Sequence, residues 1–197
     1  MKNVDINFEL SVFLGPLDHD EYRTGTYVQT KSSEEVGELS DEILLSLSGE
    51  KAGKDGVCGE IVDVMLCALD MFALYEKTDD VTAIKKAFMD TLKEVTKQDI
   101  ETFQDILKTQ YKIQPGFMHF LNITKHVGLM AEHMLNESNM SYKAKKENAL
   151  RQQCVLVFIE CACFLKTALC KKYDHEVSDF FDEYNQKKIA KWKNSRT

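Results

Sequence analysis

Acidic residues recur at helical spacing in two neighbouring stretches of the chain, and these are the side chains best suited to do chemistry. In the first, from Ser32 to Ser48, Glu35, Glu38 and Glu42 fall at i, i+3 and i+7, so a helix stacks them on one face beside an apolar stripe of Val36, Leu39, Ile43 and Leu47. In the second, from Gly59 to Phe72, Glu60 and Asp63 stand three apart, and Cys67 and Asp70 continue the same stripe. The other residues of that stretch, Ile61, Val62, Val64, Met65, Leu66, Ala68, Leu69, Met71 and Phe72, are apolar almost all round, the pattern of a buried helix. No Lys or Arg lies one turn from Glu60 or Asp63, so burying them as bare charges would be costly. Protonation, a distant basic partner or a solvated acidic face would each resolve the conflict. A cation resolves it too: the pairs Glu35/Glu38 and Glu60/Asp63 offer four hard oxygen donors, which suit Mg²⁺, with Mn²⁺ as a substitute.

The motif Glu34-Glu35-Val36-Gly37-Glu38-Leu39, followed by a connection and then Gly59-Glu60-Ile61-Val62-Asp63-Val64, resembles the E-E-x-x-E … E-x-x-D signature of the MazG-like all-α nucleoside triphosphate pyrophosphohydrolases. The resemblance covers about residues 24–75. It implies a Mg²⁺-dependent hydrolase that cleaves a (deoxy)nucleoside triphosphate between its α and β phosphates, releasing the monophosphate and pyrophosphate. The metal ligands would be Glu35, Glu38, Glu60 and Asp63, holding two or more ions. Glu34 or one of the ligands would activate the attacking water, which makes Glu34, Glu35 and Glu38 the catalytic candidates. Glu42 and Asp70 would lie in an outer shell or beside a second ion. The basic tail that ends the chain is similar to the Lys … Asn … Arg stretch that supplies phosphate contacts in many MazG-like domains. Here Asn185, Lys188 and Lys191 share one helical face, and Lys51 and Lys54 sit in the loop before the second acidic stretch. A solvated loop and a frayed terminal helix are the plainer readings of these basic residues.

The elements needed to position these groups are helical. With 197 residues, 44% of them hydrophobic, and only two prolines, Pro16 and Pro115, the chain has enough apolar material for a core and few helix breakers. The expected fold is an all-α helical bundle in a single domain spanning 1–197. Within it, 1–23 forms an N-terminal arm rich in Phe8, Val12, Phe13 and Leu14, a first long helix begins between Thr24 and Ser33 and runs to about Ser48, and a second covers about 57–76. Further amphipathic stretches run over Val81–Val95 and Gln98–Tyr111, before a break at Gln114-Pro115-Gly116.

The second half looks like the first again. His126-Val127-Gly128-Leu129 lines up with Glu35-Val36-Gly37-Glu38 at an offset of 91, and Cys154–Phe164 lines up with Glu60–Asp70 at an offset of 94. The chain thus reads as a metal-binding repeat over 24–113 and a degenerate repeat over 114–197. In the second repeat His126, Leu129, Cys154 and Val157 replace the four donors.

A net charge of −7 argues against a nucleic-acid polymer as partner. No apolar run approaches the ~18 residues of a membrane span and no secretory signal is visible, so a cytoplasmic protein is expected. The six cysteines lack paired C-x-x-C spacing and read as small buried hydrophobes rather than a zinc site. The expected partners are the nucleotide and other copies of the chain, as a dimer or tetramer. Two alternatives keep the same helices: a noncatalytic nucleotide-binding or interaction module, and a pyrophosphohydrolase acting on another nucleotide such as a diphosphate.

Overall fold

The computed structural model describes residues 23–108, 115–137, 148–169 and 174–195, with side chains described at all of them except 137, 174–176 and 191–195. Of the expected N-terminal arm, only Arg23 falls among them. Seven helices are present among the described residues: α1 (Gly25–Ser48), α2 (Gly56–Tyr75), α3 (Val81–Thr96), α4 (Phe103–Lys108), α5 (Gly116–Glu137), α6 (Ala149–Ala168) and α7 (Asp174–Ser195). The chain is all-α, and no helix among the described residues is long and apolar enough to cross a membrane.

Local signals in the sequence set the helix starts. The Thr24 hydroxyl accepts the Tyr27 N–H at 3.2 Å ahead of α1, and the Asp80 carboxylate accepts the Thr82 and Ala83 N–H groups at 2.9 and 3.2 Å ahead of α3. The helix expected over Gln98–Tyr111 is shorter: α4 occupies only Phe103–Lys108 of the described residues. A reciprocal cap explains the late start, because Asp105 accepts the Thr102 N–H at 2.9 Å while the Thr102 hydroxyl accepts the Asp105 N–H at 3.2 Å. The preceding helix has already stopped at Lys97, which is left-handed with φ 58°.

The core is built around α2 and α6, which pack on each other; α1 covers α2, and α5 covers α6. Both outer pairs are antiparallel. Arg23 before α1 reaches Asp70 late in α2, while Glu42 late in α1 reaches Gly53 just ahead of α2. Likewise His119 early in α5 contacts Glu160, and His126 further along contacts Gln153. Helix α3 packs on α6, and α7 reaches back to α2. That return brings the C-terminal helix to the face of α2 that bears the acidic residues.

Phe158 of α6 is the hub of the apolar interior. It meets Phe88 of α3 at 5.4 Å, Phe103 of α4 at 6.3 Å and Phe181 of α7 at 6.3 Å, in each case edge to face, and Phe88 in turn meets Phe72 of α2 at 5.2 Å. One ring thus ties three other helices to α6. Phe158→Ala is expected to lower unfolding free energy by ~3 to 5 kcal/mol, measured by urea denaturation of the helical circular dichroism. A loss below ~1 kcal/mol would show that the aromatic interior closes without it.

Candidate metal centre

Helices α1 and α2 bring together two overlapping acidic triads. Glu35, Glu38 and Glu60 place one carboxylate oxygen each within 4.8 Å of one another, and Asp55, Glu60 and Asp63 do the same. Glu60 belongs to both. It is buried with Asp63, at 6% and 7% exposure, whereas Glu38 faces solvent and Glu35 is half-buried. The site is therefore open on the α1 side and closed on the α2 side.

Glu60 carries the electrostatic strain of the cluster. Its Oε2 atom is fully buried and has no hydrogen-bond partner among the described residues. Burial first, then the charges of Asp63, Glu38 and Glu35, push its carboxyl up to about 7, with Lys188 opposing them. Asp63 is pushed up to about 6 by burial; the hydrogen bond and charge of Lys188 pull against that, and Glu35 and Asp55 add to it.

Among the described residues, three cationic groups meet the acidic residues of this helix pair. Lys31, one turn before Glu35, lies 2.9 Å from Glu34 and 3.2 Å from Glu35. Lys188 of α7 comes from 125 residues away to sit 2.5 Å from Asp63 and 3.3 Å from Asp55. Although burial works against its charge, the hydrogen bond and charge of Asp63 hold the Lys188 ammonium above its ordinary range. Arg23 pairs with Asp70 and also donates to its backbone carbonyl at 2.9 Å, tying the start of α1 to α2 away from the triads.

Two glycines allow the close approaches that shape the site. A Cβ on Gly53 would lie 1.9 Å from Glu42 Oε1, because that carboxylate accepts the Gly53 N–H with both oxygens at 2.9 and 3.0 Å and thereby folds the α1–α2 loop. A Cβ on Gly59 would lie 2.5 Å from the Tyr184 hydroxyl, so its absence lets α7 settle on α2. The Tyr184 ring then lies 5.3 Å from the Lys188 ammonium.

The structure brings Glu35, Glu38, Glu60 and Asp63 together, with Lys188 beside them. It sets the other sequence candidates apart. Glu34 is exposed and paired with Lys31, Glu42 is taken up by Gly53, and Asp70 by Arg23. Lys51 and Lys54 are exposed in the loop. Asn185 is buried at 1% exposure, so it faces the interior rather than a solvent-borne phosphate, and the Lys191 side chain lies outside the described residues.

Sequence reasoning missed Asp55. It stands at the N-cap of α2, outside the helical spacing that picks out Glu60 and Asp63, and its side chain makes no capping hydrogen bond. The available signal is its type: an Asp at an N-cap normally turns to the helix N–H groups, and this one turns to Lys188 instead.

No protein-family model, curated protein or solved structure matches the chain.

Carboxyls held above their ordinary values retain protons in the fold that they lose on unfolding. The folded state of the metal-free protein therefore binds more protons than the unfolded one between about pH 4.5 and 7, and its stability falls as pH rises through that window. In EDTA the melting temperature is expected to drop between about pH 4.5 and 7, and Glu60→Gln should flatten that slope. A slope equally steep in Glu60→Gln would mean that Glu60 is not strained.

Proposed function

We propose that the acidic cluster holds Mg²⁺ and that the chain hydrolyses a (deoxy)nucleoside triphosphate to its monophosphate and pyrophosphate. The observation that carries the reading is Glu60: a buried carboxylate with an unpartnered oxygen, shared by two groups of hard donors and pushed up to about 7 by burial and then by its acidic neighbours. All the converging donors are carboxylate oxygens, the set that a hard divalent cation prefers. Glu35, Glu38, Glu60 and Asp63 would hold it, as the resemblance to MazG-like enzymes implies. When bound, such a cation neutralises phosphate charge and lowers the pKa of a bound water.

The chain's own residues divide the remaining work. Glu38 is exposed within the cluster and is the carboxylate best placed to take a proton from an attacking water; Glu34 is exposed but held by Lys31. Buried Glu60 and Asp63 fix the floor, and Arg23–Asp70 and Glu42–Gly53 clamp the two ends of the α1–α2 pair.

Internal duplication is part of the same proposal. Helices α5 and α6 begin 91 and 93 residues after α1 and α2. The contact between His126 Nδ1 and Gln153 Oε1, 2.7 Å across α5 and α6, corresponds to the approach of Glu35 to Glu60 across α1 and α2. That correspondence supports an offset of 93 for the second helix rather than the 94 expected from sequence similarity. It also matches the N-caps Asp55 and Asn148. Gln153 and Leu156 then stand for Glu60 and Asp63. Burial lowers the His126 pKa, so a neutral hydrogen bond occupies the place of the acidic cluster.

The noncatalytic reading has one contact in its favour, the Lys188–Asp63 pair, which already neutralises part of the cluster from within the chain. Turnover separates the two. Pyrophosphate release from at least one member of a panel of NTPs and dNTPs, including dUTP, is expected with Mg²⁺ or Mn²⁺ and not in EDTA. Glu38→Gln and Asp63→Asn should each lower it ~100-fold or more while leaving the helical circular dichroism intact. Orthophosphate as the sole product, or unchanged rates in either variant, would contradict the assignment.

A further inference from the structure

The two triads that share Glu60 differ in one respect. In the triad of Asp55, Glu60 and Asp63, two of the three carboxylates already face a cation, since Lys188 Nζ lies 2.5 Å from Asp63 Oδ2 and 3.3 Å from Asp55 Oδ2. In the triad of Glu35, Glu38 and Glu60, the contact is with Lys31, which reaches only Glu35 and divides itself with Glu34. The Glu60 oxygen without a partner thus adjoins one triad that is filled and one that is open.

We infer that Lys188 is a resident counterion occupying the second triad, so that it withdraws Asp63 from the four-ligand set above and the chain takes one divalent cation, at Glu35, Glu38 and Glu60, and not two. The inference rests on the metal reading above and makes it more specific. Several features hold the ammonium in place. Its side chain is only 13% exposed, its stem comes from a helix packed on α2, and the Tyr184 ring covers it at 5.3 Å. Tyr184 can stand there because residue 59 is glycine. Asp55, freed of any capping hydrogen bond, completes the cradle. A divalent ion entering this triad would meet a fixed positive charge within bonding distance of two of its three ligands. The ammonium thereby supplies, from the chain itself, part of the charge that a second ion contributes in two-metal phosphoryl-transfer sites.

Mn²⁺ alone is the probe, counted on the full chain by titration calorimetry and by electron paramagnetic resonance. The wild type is expected to bind one Mn²⁺ per chain with the spectrum of an isolated ion. Lys188→Met, with its helical circular dichroism verified, is expected to bind two, with a spin-coupled spectrum. Two ions in the wild type, or one in both proteins, would overturn the role of Lys188 while leaving the metal reading standing. No binding in either protein would sink the metal reading and this inference with it. If Lys188→Met fails to fold, the wild-type count decides: one supports the inference and two refute it.

Discussion

Mutual repulsion among carboxylates, confined between two antiparallel helices, is the constraint on which the rest of the structure depends. Helix α2 is apolar almost throughout and lies at the centre of the fold, so Glu60 and Asp63 are carried into a poorly solvated interior whatever their charge. Helix α1 lays Glu35 and Glu38 against them. Nothing in the hydrophobic packing asks for this, and aliphatic residues at the same positions would make a more stable bundle. The surrounding contacts make sense as responses to it. Lys31 and Lys188 supply positive charge, and Gly59 admits the helix that delivers Lys188. The clamps at Arg23–Asp70 and Glu42–Gly53 keep the helix pair from separating. A fold that maintains such strain instead of relieving it points to a ligand whose binding relieves it.

Much of this was legible in the chain because α1 and α2 are long and their signals agree. Three-residue acidic spacing, apolar stripes and the Gly-rich connection place Glu35, Glu38, Glu60 and Asp63 on facing surfaces. What escaped depends on tertiary geometry. Asp55 lies in a turn, where helical periodicity has no purchase. The pairing of Lys188 with Asp63 spans 125 residues, and which cluster a basic tail meets is decided by how α7 crosses the bundle. Glu42 and Asp70 share the acidic stripes, but partners outside their own helices take them, Gly53 N–H in one case and Arg23 in the other. The shortened α4 follows from the Thr102–Asp105 cap, a T-x-x-D pattern that competes with the longer amphipathic periodicity.

The α5–α6 pair treats its buried acidic residue differently. His126 and Gln153 form one neutral contact, and the acidic residue buried in α6, Glu160, is satisfied by His119 at 2.7 Å and Asn122 at 3.2 Å. Glu60 and Glu160 are both buried glutamates on central helices, yet only Glu60 has an oxygen without a donor. The contrast argues that this fold satisfies a buried carboxylate when it serves packing alone.

The most direct measurement is anomalous diffraction at the manganese edge from crystals of the wild-type chain grown with Mn²⁺. An ion bonded to Glu60 and to Glu35 or Glu38, at the ~2.0 to 2.2 Å typical of a small hard cation, is the predicted result. Crystals that show no ion there, with the buried Glu60 oxygen hydrogen-bonded to a protein donor instead, would contradict it and leave the acidic cluster as a structural feature of the bundle.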